Sequence, residues 1–210
     1  MNIVLIGSQG CGKGTQAEML ARETGMIHIS TGDLLRHARG SLKKEIHSYI
    51  DKGNLVPDEL IIKLIKIKLK ETKSKKGVIL DGFPRDILQA EQLNKITKID
   101  AIIEIYISDK EAIRRIMNRW NCPKCGLTYN LISNPPKSKG ICNKCQTKLV
   151  QREDDKEDAI KKRLFIYHKE TEPILKMFKL YRVNGELDIN KVHKEITGIV
   201  KGMSRVILIL

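Results

Sequence analysis

Residues 1–16 read MNIVLIGSQGCGKGTQ, and Gly7 to Thr15 within them read GSQGCGKGT. Asn2 to Ile6 is a short apolar run that stops at a glycine, the pattern of a parallel strand buried on both faces. From Thr15 to Thr24, Ala17, Leu20 and Ala21 recur at helical spacing, and Gly25 is placed to stop that helix. A glycine-rich turn between such a strand and such a helix aims backbone N–H groups and the positive end of the helix dipole at phosphate oxygens. Lys13 then reaches between the terminal phosphates. The usual cradle is G-x-x-x-x-G-K followed directly by Ser or Thr. Here Gly7, Gly12 and Lys13 keep the spacing, but Gly14 follows the lysine and the hydroxyl comes one place late, on Thr15. The stretch therefore predicts an α/β chain with a phosphate site. It leaves open whether that site is decayed or built for a different reaction.

The rest of the chain repeats the alternation. Ser30 to Asp33 supplies caps for a helix through Leu34 and Leu35. Val56-Pro57-Asp58-Glu59 opens a helix carrying Leu60, Ile61, Leu64, Ile65 and Leu69. Gly77 to Gly82 (GVILDG) reads as a second buried strand, ending in the carboxylate of Asp81, and Ala101 to Ile107 (AIIEIYI) as a third. A further helix is expected over 155–169 and a last strand over 181–185. Strands alternating with helices predict a parallel sheet covered on both faces. The apolar end, Val206 to Leu210, reads as a packed extra strand or a contact surface.

Composition narrows the class. The 210 residues are enough for one sizeable core with small inserted modules. No apolar stretch is long enough to span a membrane, and no basic leader precedes the first strand, so a cytoplasmic chain is expected. A formal charge of +14 attracts polyanions, although runs such as Lys73 to Lys76 read equally as solvated surface. Four cysteines stand as C-P-K-C (Cys122, Cys125) and C-N-K-C (Cys142, Cys145). Two such knuckles converge four thiolates on one tetrahedral zinc, with disulfides as the alternative in an exported chain. The segment around them holds Pro135-Pro136 and reads as an insertion. Cys11, inside the glycine loop, reads as a small filler.

Asp81 matches the second acidic element of phosphate-loop enzymes, where it holds magnesium through water. Phosphoryl transfer is positioning and charge neutralisation, so cations around the moving group are required. Arg36, Arg85, Arg115, Arg119, Arg152 and Arg163 are available, and Arg85 follows the acidic strand end directly, facing the same crevice.

Taken together, GSQGCGKGTQ, ISTGDLLR, LDGFPR, RWNCPKCG…NPPK…CNKC…QREDD and KKRL..YH resemble the adenylate kinases that carry a zinc-bearing lid, in order, from Met1 to about Gly185. In that family the loop reads G-K-G-T, so Gly14 is normal and the site resembles an intact nucleoside-monophosphate kinase loop. The resemblance implies a P-loop NTPase-like parallel sheet covered by helices, with a helical AMP-binding insertion (30–56) and a zinc-binding lid (122–155) on a core of 1–29, 57–121 and 156–210. It implies reversible transfer of the terminal phosphate of ATP to AMP, giving two ADP, with magnesium accompanying ATP and a structural zinc.

Carried over by resemblance, Gly10, Cys11, Gly12, Lys13, Gly14 and Thr15 hold the donor phosphates. Arg115, Arg119, Thr128, Tyr129 and Leu187 lie near the donor. Thr31, Arg36, Asn54, Leu55, Val56, Gly82, Phe83, Pro84, Arg85 and Gln89 form the AMP site, with Arg152 and Arg163. Lys13, Asp81, Arg85, Arg119, Arg152 and Arg163 act on the transferred group, and Asp154 and Asp155 form the acidic pair that closes the lid segment. Gln9, Trp120 and Gln146 depart from the family's usual proline, arginine and glycine, which bears on rate more than on reaction. A monomer is expected, with no nucleic-acid or membrane partner. The alternatives are a kinase for UMP or GMP, against which the Gln89 amide offers a match to an adenine edge, and a zinc-ribbon module that grips nucleic acid. Aromatic residues at 4% leave that module few stacking platforms.

Overall fold

A computed structural model describes residues 1–36, 38, 40–50, 56–72, 76–151 and 155–207, with the backbone alone at 36, 40, 41, 47, 50 and 204–207. Five strands form one parallel sheet: β1 (Asn2–Ile6), β2 (Ile27–Ser30), β3 (Val78–Asp81), β4 (Ala101–Tyr106) and β7 (Leu180–Asn184), in the spatial order β2-β3-β1-β4-β7. The short strands β5 (Arg119–Asn121) and β6 (Thr128–Asn130) pair antiparallel outside it. The described helices are α1 (Lys13–Thr24), α2 (Thr31–Arg36), α3 (Gly40–Ile50), α4 (Asp58–Glu71), α5 (Ile87–Ile96), α6 (Asp109–Met117), α7 (Glu157–Ile166) and α8 (Ile189–Ile207).

The apolar runs are continuous because both sheet faces are covered. Along β1, Ile3 and Leu5 enter a core formed with α1, α6, α7 and α8, while Val4 and Ile6 enter another beneath α4 and α5. Each of these fully buried side chains is worth about 1.5–3 kcal/mol of apolar transfer. Glu104 interrupts the run on β4 yet is 1% exposed. It survives there because Arg182, its cross-strand partner on β7, donates to it at 2.5 Å and the Tyr167 hydroxyl at 3.4 Å.

The register aligns the C-terminal ends that matter. Asp81 pairs with Leu5 and with Ser30, and Ile6 pairs with Glu104. The segments that follow, beginning at Gly7, Thr31 and Gly82, therefore leave the sheet along one edge. The strand order reverses around β1, and a ligand crevice forms at such a switch point.

Three expectations change. Ile27–Ser30 is a strand, where the sequence reading had only a cap for the next helix; its four residues alternate weakly, and pairing to β3 decides the matter. The helix expected over 155–169 ends as α7 at Ile166, and a π-turn (Tyr167–Thr171) and a 3-10 turn (Glu172–Met177) follow. Val206 and Ile207 close α8 rather than forming an extra strand. Residues 208–210 lie outside the described residues, as does most of the lysine run, at 73–75.

Candidate active site

The loop after β1 wraps tightly because its neighbours leave no room. A side chain at Gly7 would run into the Ile105 carbonyl and the Cys11 sulfur, and one at Gly10 would meet Ile116 at 2.9 Å. Cys11 is buried, as a filler should be. Lys13 opens α1 and folds its ammonium back to donate to the carbonyls of Gly7 (2.6 Å) and Ser8 (2.9 Å). Thr15 is exposed in the first turn of α1. Asp81 stands at this helix end, with Oδ2 3.5 Å from where a Gly14 Cβ would lie. His28 Nε2 lies 3.4 Å from the same oxygen but out of hydrogen-bonding geometry, a neighbour the sequence reading did not anticipate.

The second wall is built by the end of β3. Gly82 to Arg85 follow Asp81 at once; Phe83 and Pro84 are buried, and Arg85 is exposed with Nε donating to the Gly82 carbonyl at 2.8 Å. Thr31 begins α2 and bonds the Asp81 carbonyl at 3.3 Å. Gln89 is 3% exposed, and its amide is engaged at both ends: it accepts from Arg85 N–H at 2.9 Å and donates to Asp58 at 2.5 Å. Its carboxamide therefore pins the arginine turn to α4. Asp86 caps α5 by accepting from Gln89 N–H at 2.8 Å. Val56 packs beside α4, while Asn54, Leu55 and the Arg36 side chain lie outside the described residues.

The third wall comes from α6 and α7. Ile116 of α6 touches the Gly10 position, and Arg119 follows three residues later. Arg119 forms a bidentate pair with Asp155, at 2.9 and 2.5 Å, and Arg163 of α7 reaches the same carboxylate at 3.4 Å. The Asp155 side chain is 2% exposed, so one buried carboxylate gathers two of the arginines. Two guanidiniums this close repel each other unless an anion lies between them. Arg152 and Asp154 are outside the described residues. Arg115 donates to Glu111 at 2.6 Å; with Arg114, which contributes most, it holds that carboxyl down to about 2. Leu187 is half-buried against the core after β7.

Beyond Arg119 the chain enters the cysteine segment. From Ala112 to Arg152 there are nine lysines and arginines and no carboxylate. The four cysteine sulfurs all lie within 4.8 Å of one another, with Cys122 to Cys145 at 3.3 Å and Cys125 to Cys142 at 3.5 Å. Zinc–thiolate bonds of about 2.3 Å in a tetrahedron place sulfurs about 3.8 Å apart, so the donor set fits that ion. Burial opposes ionisation of Cys142, but the Tyr129 hydroxyl and backbone N–H groups of Cys145 and Lys144 outweigh it and bring its thiol to about 6. Around the sulfurs the apolar side chains are few: Trp120, Leu127, Tyr129 and Leu149. Trp120 pairs across the ribbon with Tyr129 and packs into this small core. Thr128 is exposed and bonds Asn121 at 2.8 Å. The Tyr129 ring turns inward to the cysteines, with its hydroxyl 3.4 Å from Cys142 Sγ.

The arrangement is thus a phosphate loop, an acidic strand end, an exposed arginine turn and a pair of arginines held by one buried carboxylate. The sequence matches the adenylate kinase family over residues 5–183. An adenylate kinase of Acetivibrio thermocellus is 41% identical over 215 residues, covering 97% of this chain and 99% of its own. One of Methanocella arvoryzae is 44% identical over 216 residues, covering 97% and 100%. One of Archaeoglobus fulgidus is 43% identical over 213 residues, covering 96% and 98%. With the loop, the arginines and the cysteine-bearing segment all in place along a match of this extent, the chain belongs to the adenylate kinase family.

Proposed function

We propose that the reaction of this enzyme, reversible transfer of the terminal phosphate of ATP to AMP giving two ADP, runs between the Lys13 loop and the Gly82–Arg85 turn, beneath Arg119 and Arg163. An oxygen of the AMP phosphate attacks the terminal phosphorus in line. The bond to the bridging oxygen breaks, and the charge passes to the departing ADP. The attacking oxygen is already anionic, so no general base is needed. The protein supplies alignment and positive charge.

The observation that carries this reading is the end of β3, which sets Asp81 against the α1 terminus and continues at once into the Arg85 turn. Lys13 exchanges its loop carbonyls for the phosphates of ATP, and Arg85 holds the AMP phosphate. Arg119 and Arg163, held by their shared carboxylate, turn their remaining N–H groups to the phosphoryl group as it moves, and Arg152 joins them. Adenylate kinases use magnesium with ATP; bound here it would supply positive charge to the donor phosphates, and Asp81 would hold it through water. Thr31, Arg36, Asn54 to Val56 and Gln89 bound the AMP pocket; Arg115, Thr128 and Leu187 bound the donor side.

The cysteine segment, residues 122–155, acts as a lid that excludes water over ATP, and Cys122, Cys125, Cys142 and Cys145 hold a structural zinc. All four positions of such an ion are filled by sulfur, which leaves none for substrate. The test is a coupled assay with ATP and, in turn, AMP, GMP, CMP and UMP, together with metal analysis. AMP should be preferred strongly, with about one zinc per chain. Equal velocity on UMP would overturn the acceptor, and a metal-free native chain would overturn the zinc.

A further inference from the structure

We infer that Tyr129 is a positioning residue of the cysteine cluster, its phenol hydrogen-bonded to the Cys142 sulfur so that the bound metal is released slowly. The inference rests on the zinc reading above. Tyr129 is 5% exposed, and its oxygen lies 3.4 Å from Cys142 Sγ. Asn143 N–H donates to the same oxygen at 2.8 Å. A zinc-bound sulfur carries no proton, so the phenol is the only possible donor of the pair. Its oxygen accepts from Asn143 while its proton points at Cys142.

The two knuckles show why this contact is an addition rather than part of the repeat. Their backbones match: Gly126 N–H donates to Cys122 O and Gln146 N–H to Cys142 O, both at 3.0 Å. Cys122 N–H donates to Leu127 O and Cys142 N–H to Thr147 O, both at 2.9 Å. Hydroxyls break the symmetry. The second knuckle has Tyr129 at Cys142 and Thr147 Oγ1 accepting from Cys145 Sγ at 3.3 Å, while its own proton goes to the Cys145 carbonyl at 3.5 Å. Once the sulfur loses its proton on binding zinc, the Thr147 hydroxyl must turn its proton to the sulfur to keep the 3.3 Å contact. The first knuckle has Leu127 where Thr147 stands in the second. Among the described residues, no side-chain hydroxyl reaches Cys122 or Cys125. Four thiolates around a doubly charged ion leave two negative charges in a small, poorly hydrated core. Hydroxyl donors disperse that charge on the second knuckle alone, and partners of this kind are worth about 10–100-fold in metal affinity.

The experiment follows zinc transfer from the holoenzyme to the chromogenic chelator 4-(2-pyridylazo)resorcinol. Tyr129→Phe keeps the ring and removes the hydroxyl, and it should release zinc about tenfold faster than the parent. Tyr106→Phe, at an exposed tyrosine remote from the cluster, should release it at the parent rate. Thr147→Val should accelerate release as well, which keeps the test open if Tyr129→Phe folds poorly. After chelation, parent and Tyr129→Phe should melt together, because a lid without metal has lost the fold in which the phenol acts. Equal release rates from zinc-loaded parent and Tyr129→Phe would overturn the inference, as would equal destabilisation with and without metal. Unchanged release with weakened ATP binding would assign Tyr129 to the donor site instead. A parent lacking zinc would overturn the zinc reading itself, a separate outcome.

Discussion

Gln146 occupies the position in the second knuckle that Gly126 occupies in the first, and both are left-handed, with φ of 58° and 74°. For an L-residue with a Cβ this conformation costs about 1–2 kcal/mol. Glycine removes that strain but loses about 0.4–1 kcal/mol through the larger freedom of the unfolded chain. Gln146 is exposed, and its side chain makes one long contact, to the Asn143 carbonyl at 3.5 Å. Gln146→Gly should therefore stabilise by a net of about 0.5–1 kcal/mol. At 2–4 °C per kcal/mol for a chain of this size, the melting temperature should rise by roughly 1–4 °C. Gly126→Ala is the mirror experiment. A Cβ there meets nothing within 4 Å, so only the backbone term remains, and the melting temperature should fall by a similar amount. Calorimetry of the zinc-loaded proteins, with zinc release as a second readout of the same segment, gives both signs. A destabilised Gln146→Gly, or a Gly126→Ala that melts with the parent, would refute the reasoning.

Lys13→Ala and Arg85→Ala should each lower turnover by about 10³-fold or more while circular dichroism stays native, because each removes a cation from the reacting phosphates; near-normal velocity in Arg85→Ala would sink that assignment. Asp155→Asn should loosen Arg119 and Arg163 together, lowering kcat about tenfold, as a small misplacement of positioning groups does, and an unchanged kcat would remove Asp155 from that role. Cys142→Ser should lose zinc and melt earlier yet keep much of its velocity in the cold, since metal binding there is folding free energy; a cold, folded variant without turnover would contradict a structural metal. His168 is held above its ordinary value by hydrogen bonds to Glu172 and then Asp109, each at 2.9 Å. A group raised on folding contributes fully below its unfolded value of about 6.5 and loses that contribution as pH rises through its folded value. The stability gap between parent and His168→Gln should be widest below about pH 6 and shrink above it; a gap independent of pH would remove the ion pairs as its cause.

What the sequence determined by itself is local in origin. NIVLI, GVILDG and AIIEIYI are strands because an unbroken apolar run of that length has few other fates in a sheet covered on both faces. The glycine loop ahead of Lys13, and two C-x-x-C turns, carry their chemistry in spacing alone. Only the tertiary structure could decide the rest, because the role of a polar side chain is set by the groups that face it. Ile27–Ser30 became a strand through its partner β3. Gln89, whose amide matches a base edge on paper, is engaged by Arg85 N–H and Asp58 from two other segments. Tyr129 turned into the cysteine core because the ribbon register sets it beside Trp120 on the side that folds over the sulfurs. Asp155, read as one half of an acidic pair, gathers Arg119 and Arg163 from positions 36 residues before it and 8 after it. Periodicity and spacing describe a chain against itself over a few residues; these contacts join residues across the fold, where burial and charge select a partner that spacing does not name.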